Sequence, residues 1–310
     1  MYKGIAKYLE ILRDNNKEVV LKKALAIDVG GTKIYNAIIN EDGEIESNVE
    51  KHSTPKTFAE IKDLFTDIIN KYESNVDIIA FATCGAVNNS NDKILGSTGN
   101  IVKEYPSIDF KSLSSKPVFV ENDANAAAWA EHIIGSSKGK PYSIMLTLGT
   151  GVGGGIILDN KLYKGKNGAA GEMHFKMRTD KHRKCTCGSF DCFEAYASGT
   201  GLKKTAEEIS GDFEITTYDV IENKDRPIMK KIFETWQNDI LEGIIGLANI
   251  FDPDCIVLSG SMAEFVDIEY LELEANKEIV TTPFKVVKAS AGNYSGMIGA
   301  ALLALEKINK

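Results

Sequence analysis

Residues 24–39 read ALAIDVGGTKIYNAII, and residues 143–158 read SIMLTLGTGVGGGIIL. Each runs from an apolar stretch through a glycine turn into a second apolar stretch. The pattern predicts two β-hairpins, with glycines that permit tight turns and positive φ. Each hairpin opens a half of the chain in which further strands and helices alternate. The repeat therefore predicts a duplicated α/β architecture of two similar domains.

Outward from the hairpins, residues 58–72 carry helical periodicity, and residues 77–82 and 117–120 read as buried strands. The second of these strands ends at Glu121-Asn122-Asp123, and the alanine-rich run 124–134 that follows reads as a helix. In the second half, residues 226–251 form a long amphipathic pattern stopped by Asp252-Pro253. A strand over 255–258 then ends at Ser259-Gly260, and a helix over 298–308 closes the chain. No low-complexity linker separates the halves.

The 310 residues suit two domains, with 43% hydrophobic and 26% charged residues as in ordinary globular proteins. Acidic residues outnumber basic ones, 44 to 36, which argues against a nucleic-acid partner. No apolar stretch is long enough to span a bilayer, and the first residues lack the apolar core of a signal peptide. There, Ile5, Tyr8, Leu9 and Leu12 recur at helical spacing and predict a short amphipathic helix. Three of the five cysteines crowd between 185 and 192, which is metal spacing rather than disulfide pairing. A reducing, cytoplasmic location is expected, without a membrane partner.

Three constellations carry chemistry. In Asp28-Val29-Gly30-Gly31-Thr32-Lys33 an acid ends a strand, glycines let backbone N–H groups approach phosphate, and Thr32 and Lys33 add a hydroxyl and a positive charge. The plain alternative is a hairpin with a polar tip. The second loop holds a literal G-x-G-x-x-G at Gly149, Gly151 and Gly154, but a dinucleotide fingerprint must open a helix. Ile156-Ile157-Leu158 continues as a strand instead, and no P-loop pattern is present. Asp123, just past a strand, reads equally as a helix N-cap or as a carboxylate placed to accept a proton at the carboxyl end of the sheet.

The third constellation is Cys185-Thr186-Cys187-Gly188 with Cys192 and, upstream, His174. Three thiolates and one imidazole make the closed tetrahedral shell of a structural zinc site. His182 is a rival fourth ligand. Cys84 and Cys255 sit in apolar runs and read as core residues.

In chain order, DVGGTK, VENDANAAAWAE, LGTGVGGG, GAAGE, CTCGSFDCFEAYASGTG, DPDCIVLSGS and GMIGAALLA resemble the ROK family of repressors, open reading frames and sugar kinases, over roughly residues 24–305. The resemblance implies the two-domain actin-like (ribonuclease-H-like) ATPase fold with a ligand cleft between domains. It implies a small α/β domain over 1–122, completed by the C-terminal helix 297–310, and a large one over 123–296 with the zinc-binding loop. ATP, Mg²⁺ and structural Zn²⁺ are the implied cofactors. By the same resemblance Asp28 orients Mg²⁺ through water, and Gly30, Gly31, Thr32 and Lys33 form the first phosphate loop. Thr150 and Gly151 lie in the second, which spans 149–154, and Gly260 lies by the adenosine. Asn100, Asn122, Asp123, Glu172, His174 and Glu194 match sugar-binding positions, Asp123 being the base, and His174, Cys185, Cys187 and Cys192 match the metal ligands.

Three departures from the family pattern stand out. Glu172-Met173-His174 is one residue short of Glu-x-Gly-His, Asp191 replaces the glycine before the last cysteine, and Ser259-Gly260-Ser261 replaces consecutive glycines. The expected activity is ATP-dependent phosphorylation of a hexose, glucose first, with N-acetylmannosamine or N-acetylglucosamine as alternatives. A sugar-responsive repressor is less expected, because few residues precede the first strand for a DNA-binding domain. A non-catalytic sensor would not need Asp123 together with both phosphate loops. Family members are commonly homodimers or homotetramers.

Overall fold

The structure is a computed structural model that describes residues 21–96, 101–178 and 183–310. The amphipathic helix expected near the start, Asn100 and His182 lie outside the described residues.

The first sheet contains β1 (Lys23–Val29), β2 (Lys33–Asn40), β3 (Glu50–Ser53), β4 (Ile78–Thr83) and β5 (Val118–Asn122), in the order β3-β2-β1-β4-β5. The second contains β6 (Ser143–Leu148), β7 (Val152–Leu158), β8 (Lys161–Leu162), β9 (Cys255–Ser259) and β10 (Lys285–Lys288), in the order β10-β9-β6-β7-β8. Matched strand for strand, the two orders are the same. Each sheet starts with an antiparallel hairpin and adds two parallel strands on the other side of its first strand. The duplication read from the glycine hairpins is therefore present in the topology. β7 continues from the glycine run as a strand, so the dinucleotide reading fails structurally as well.

Among the described residues, eight α-helices pack on the sheets: α1 (Phe58–Tyr72), α2 (Asp123–Ile133), α3 (Glu194–Ala197), α4 (Gly199–Ser210), α5 (Thr217–Glu222), α6 (Pro227–Phe251), α7 (Ile268–Glu278) and α8 (Ser295–Ile308). β1 shows why its run is apolar throughout. Leu25, Ile27 and Val29 pack with Ile61 and Phe65 of α1, while Ala24 and Ala26 join Met297 and Ala301 of α8. With both faces covered, a parallel strand is continuously apolar rather than alternating. In the second sheet, Leu146, Leu148, Ile256 and Leu258 meet Trp236, Ile240 and Ile244 of α6, whereas Met145, Cys255 and Val257 meet Ala127 and Ala128 of α2. α6 stops at Asp252, a left-handed C-cap with φ 45°, just where Asp-Pro forbids another turn.

The two halves meet along α2 and α8. α2 lies on β7 and β6 of the second sheet and also against α8, which itself covers β1 and β4 of the first. Alanines and glycines make this crossing possible, because any side chain at Gly299 would run into the Ala126 carbonyl. The glycine run of β7 serves the same purpose: a Cβ at Gly155 would sit 2.5 Å from that of Ala128. The α2 N-terminus is thereby held close to both sheets.

Candidate functional site

Asp28, the penultimate residue of β1, and Asp123, the first residue of α2, come together at the junction of the halves. Gly296 at the start of α8 lies between them: a Cβ there would be 3.5 Å from both Asp28 Oδ2 and the Asp123 carbonyl oxygen. Both carboxyls are half-buried. Burial, followed by the charge of Asp123, pushes the Asp28 carboxyl up to about 7. Burial pushes Asp123 up to about 6, against the N–H groups of Ala124 and of Asp123 itself and with help from the charge of Glu172. Beneath them the buried Tyr105 hydroxyl bonds Thr83 Oγ1 at 2.7 Å.

The N-cap of α2 is Asn122, whose side-chain oxygen accepts the Asn125 N–H at 3.0 Å. Of the two roles open to Asp123 in the sequence, the cap is therefore taken by its neighbour. The Asp123 carboxylate accepts the adjacent Ala124 N–H at 2.8 Å. Asn122 Nδ2 donates to the Gly85 carbonyl at 3.1 Å, so both ends of its amide are in use.

The first hairpin closes with the Gly30 N–H on the Lys33 carbonyl at 3.0 Å, leaving Thr32 and Lys33 exposed at its tip. Thr54, which the sequence reading missed, secures the loop through its hydroxyl on the Gly30 carbonyl at 2.6 Å and its N–H on the Thr32 carbonyl at 3.1 Å. The expected positive φ is absent at Gly30, Gly149 and Gly151. In the second loop, close approach is what demands glycine: a Cβ at Gly151 would lie 2.5 Å from Glu194 Oε2.

Thr150 is exposed at the tip of the second hairpin, and the N-terminus of α4 docks onto that tip. The Gly199 N–H reaches the Gly149 carbonyl at 2.8 Å, and the Thr200 hydroxyl reaches the Thr150 carbonyl at 2.7 Å. Gly260 has φ 87° and packs its α-carbon against the Leu148 backbone, so that position needs glycine on two counts. Ser259 and Ser261 have no positive φ, and the loss of consecutive glycines leaves this loop unstrained.

On the opposite side, residues 174–177 run antiparallel to 191–193, with the Phe193 N–H on the Phe175 carbonyl and the Met177 N–H on the Asp191 carbonyl, both at 2.8 Å. Phe175 and Phe193 stack at 5.0 Å beneath this pairing. It brings His174 alongside Cys192, while a turn ending at Gly188, φ 87°, folds Cys185 and Cys187 over them. The ligand atoms of His174, Cys185, Cys187 and Cys192 all lie within 4.8 Å of one another. Cys187 and Cys192 sulfurs are 3.6 Å apart, and Cys185 Sγ is 3.5 Å from His174 Nδ1. Tetrahedral zinc with bonds of about 2.3 Å to sulfur requires sulfurs about 3.8 Å apart, so the donor set fits that ion.

The shortened segment has a visible conformational consequence: Met173 takes φ 52° and buries its side chain against Gly154. Glu172 is exposed, and its charge acts on Asp123. Glu194 is buried, with Cys185 Sγ 3.5 Å from its Oε1. Asp191 occupies φ 59°, a glycine-like conformation, and its carboxylate accepts the Arg183 N–H and the Tyr196 hydroxyl, each at 2.8 Å. Tyr196 is also covered by the Arg183 guanidinium, 4.4 Å from its ring centre. The expected sugar-side residues therefore form two groups, Asn122 and Asp123 with Glu172 near them, and His174 and Glu194 beside Cys185.

Among the described residues no helix is long and apolar enough to cross a membrane. A model of the ROK family matches residues 24–307. The chain is 32% identical to a glucokinase of Streptomyces coelicolor, covering 91% of this chain and 97% of that protein. It is 30% identical to an N-acetylmannosamine kinase of Yersinia pseudotuberculosis, covering 91% of this chain and 98% of the other. The structure of a ROK family glucokinase from Streptomyces griseus, in complex with glucose and AMPPNP, superposes with a TM-score of 0.75 at 29% identity, over 92% of this chain and 99% of that one.

Proposed function

This chain belongs to the ROK family, and from that premise we propose that it is a sugar kinase transferring the γ-phosphoryl group of ATP to a hexose hydroxyl, with glucose as the preferred acceptor. The observation that carries the reading is the pair Asp28 and Asp123, set at the junction of two glycine hairpins and two sheets. In the reaction, the sugar oxygen forms a bond to the γ-phosphorus as the bond to the bridging oxygen of ADP breaks. The hydroxyl proton passes to the Asp123 carboxylate and from there to solvent. With its carboxyl pushed up to about 6, Asp123 is ionised at neutral pH yet more basic than an ordinary aspartate.

Backbone N–H groups and the exposed Thr32, Lys33 and Thr150 of the hairpin tips take the phosphate side, and Gly260 leaves room beside the adenosine. A magnesium ion, when bound, supplies charge neutralisation between the β- and γ-phosphates. Asp28 would hold that ion, whose charge would offset the mutual repulsion of the Asp28 and Asp123 carboxylates. Zinc at His174, Cys185, Cys187 and Cys192 would fix the loop that carries Glu194 and leave the chemistry to Asp123.

Glucose is favoured by the names of the glucokinases above, and the similarity to an N-acetylmannosamine kinase supports acyl-hexosamines as a second reading. A coupled ADP-release assay over hexoses and acyl-hexosamines tests both. Glucose should give the largest kcat/KM. A larger value for an acyl-hexosamine transfers the assignment to that sugar, and no turnover with any of them overturns the kinase reading.

A further inference from the structure

The sequence reading left the residue before Asn122 without a role. Glu121 is only 1% exposed, and its carboxylate gathers four donors. Oε2 takes Lys164 Nζ and Asn91 Nδ2, both at 2.7 Å, and Oε1 takes the Asn122 N–H at 2.9 Å and Asn125 Nδ2 at 3.3 Å. Lys164 comes from the other half of the chain, just past β8, and is itself 13% exposed. A buried carboxylate bridged to a nearly buried ammonium is strongly held only when every remaining lone pair is satisfied, as here.

Lys164 also begins the loop that leads to Glu172. Its carbonyl accepts the Ala170 N–H at 3.1 Å, closing the loop on itself. The loop is strapped to the 85–94 segment of the first half at three further points. Lys164 Nζ reaches the Asn88 carbonyl at 3.1 Å, Asn89 Nδ2 reaches the Gly165 and Lys166 carbonyls at 3.1 and 2.9 Å, and Gly168 abuts the Val87 carbonyl. That same segment holds Asn122 through Gly85 and Glu121 through Asn91.

We propose that the Glu121–Lys164 pair is a latch between the halves, and that Lys164 is a positioning residue setting the Glu172 loop in register with the Asn122-Asp123 turn. One carboxylate touches the backbone of that turn and the ammonium that starts the loop, so a shift in either is felt by the other. The Glu172 loop is thus registered against the Asn122-Asp123 turn before any ligand arrives. The kinetic consequence rests on the sugar-kinase reading, but the structural coupling does not.

The test compares Lys164→Met, Lys164→Arg and Glu121→Gln with wild type. Hydrogen exchange on the sugar-free protein should show residues 85–94 and 164–171 loosening together in Lys164→Met and Glu121→Gln, and staying protected in Lys164→Arg. Steady-state kinetics should show the sugar KM of Lys164→Met raised about tenfold, with ATP KM within about twofold, and Lys164→Arg restoring most of the loss. Unchanged exchange in both segments overturns the latch, as does loosening of only one. Equal rises in both KM values overturn the positioning role. If wild type phosphorylates no sugar, the function assignment fails while the exchange experiment still decides the latch.

Discussion

Glu194 links the cysteine loop to the second glycine hairpin: its Oε2 accepts the Val152 N–H at 3.1 Å, and the Thr186 hydroxyl donates to its Oε1. A carboxylate offers about four acceptor positions. With Cys185 Sγ also against Oε1, Glu194 keeps acceptor capacity to spare, while its side chain ties the cysteine loop to the second hairpin.

Gly151→Ala places a methyl carbon 2.5 Å from Glu194 Oε2, which must move aside. A substitution in the proposed phosphate loop should then raise the sugar KM, by about tenfold, and more than the ATP KM. Steady-state kinetics varied in each substrate measure this. A rise confined to ATP would show that the hairpin acts on nucleotide alone.

Asp123→Asn preserves the helix start, because the cap is Asn122. Loss of the base should lower kcat by roughly 10²–10⁴-fold with little change in ATP binding. With Asp123 as the proposed base, kcat/KM for sugar should fall as pH drops through about 6 and level off above it. A variant within a few-fold of wild type removes Asp123 from the chemistry.

Asp28→Asn should trade activity for stability. The folded carboxyl is pushed up to about 7, far above an unfolded aspartate, so its ionisation weakens the fold as pH rises from about 4 to 7, and the full penalty stands above that. The amide carries no such penalty. Thermal melts of the magnesium-free protein at pH 8 should give a Tm a few degrees above wild type, with the gain vanishing near pH 4. An unchanged or lower Tm at pH 8 contradicts the burial argument.

Much of this was legible in the chain because it is local. The hairpins announce themselves by apolar runs around glycine, and the span of α1 follows from periodicity alone. The short strands β3, β8 and β10 leave no such mark, since four residues or fewer with exposed members carry little pattern. At the site, the cysteine spacing names its own cluster. The cap at Asn122 and the latch from Glu121 to Lys164 do not, because each depends on geometry that the sequence leaves open. Positive φ was expected at the hairpin glycines and is found elsewhere, as at Gly260 and Gly188, whereas Gly151 and Gly153 to Gly155 answer to close packing.

Asp191 shows how a departure from the family pattern is absorbed. Its left-handed backbone costs what glycine would not, and its two hydrogen bonds to Arg183 and Tyr196 offset the cost. Asp191→Ala keeps the strained backbone and loses both bonds, so it should destabilise by about 2–4 kcal/mol and weaken metal retention. Asp191→Asn, which tolerates this conformation and still accepts hydrogen bonds, should stay near wild type. Chemical denaturation of the metal-loaded protein separates the two, and equal stability of both variants would leave the hydrogen bonds without effect.

The purified protein should carry about one zinc per chain, through His174, Cys185, Cys187 and Cys192. His174→Ala should lose the metal and His182→Ala should keep it, which elemental analysis reads directly. Because the thiols must shed protons to bind, affinity should fall as pH falls, and calorimetry in two buffers should detect released protons. Removing the metal frees the turn from Cys185 to Gly188 and, through Thr186 and Cys185, the grip on Glu194. Chelated protein should therefore melt at a lower temperature and show a sugar KM raised more than its ATP KM, since α4 and Gly260 hold the second hairpin independently of the metal. A chelated form with unchanged melting and unchanged sugar kinetics would refute a structural role for the site.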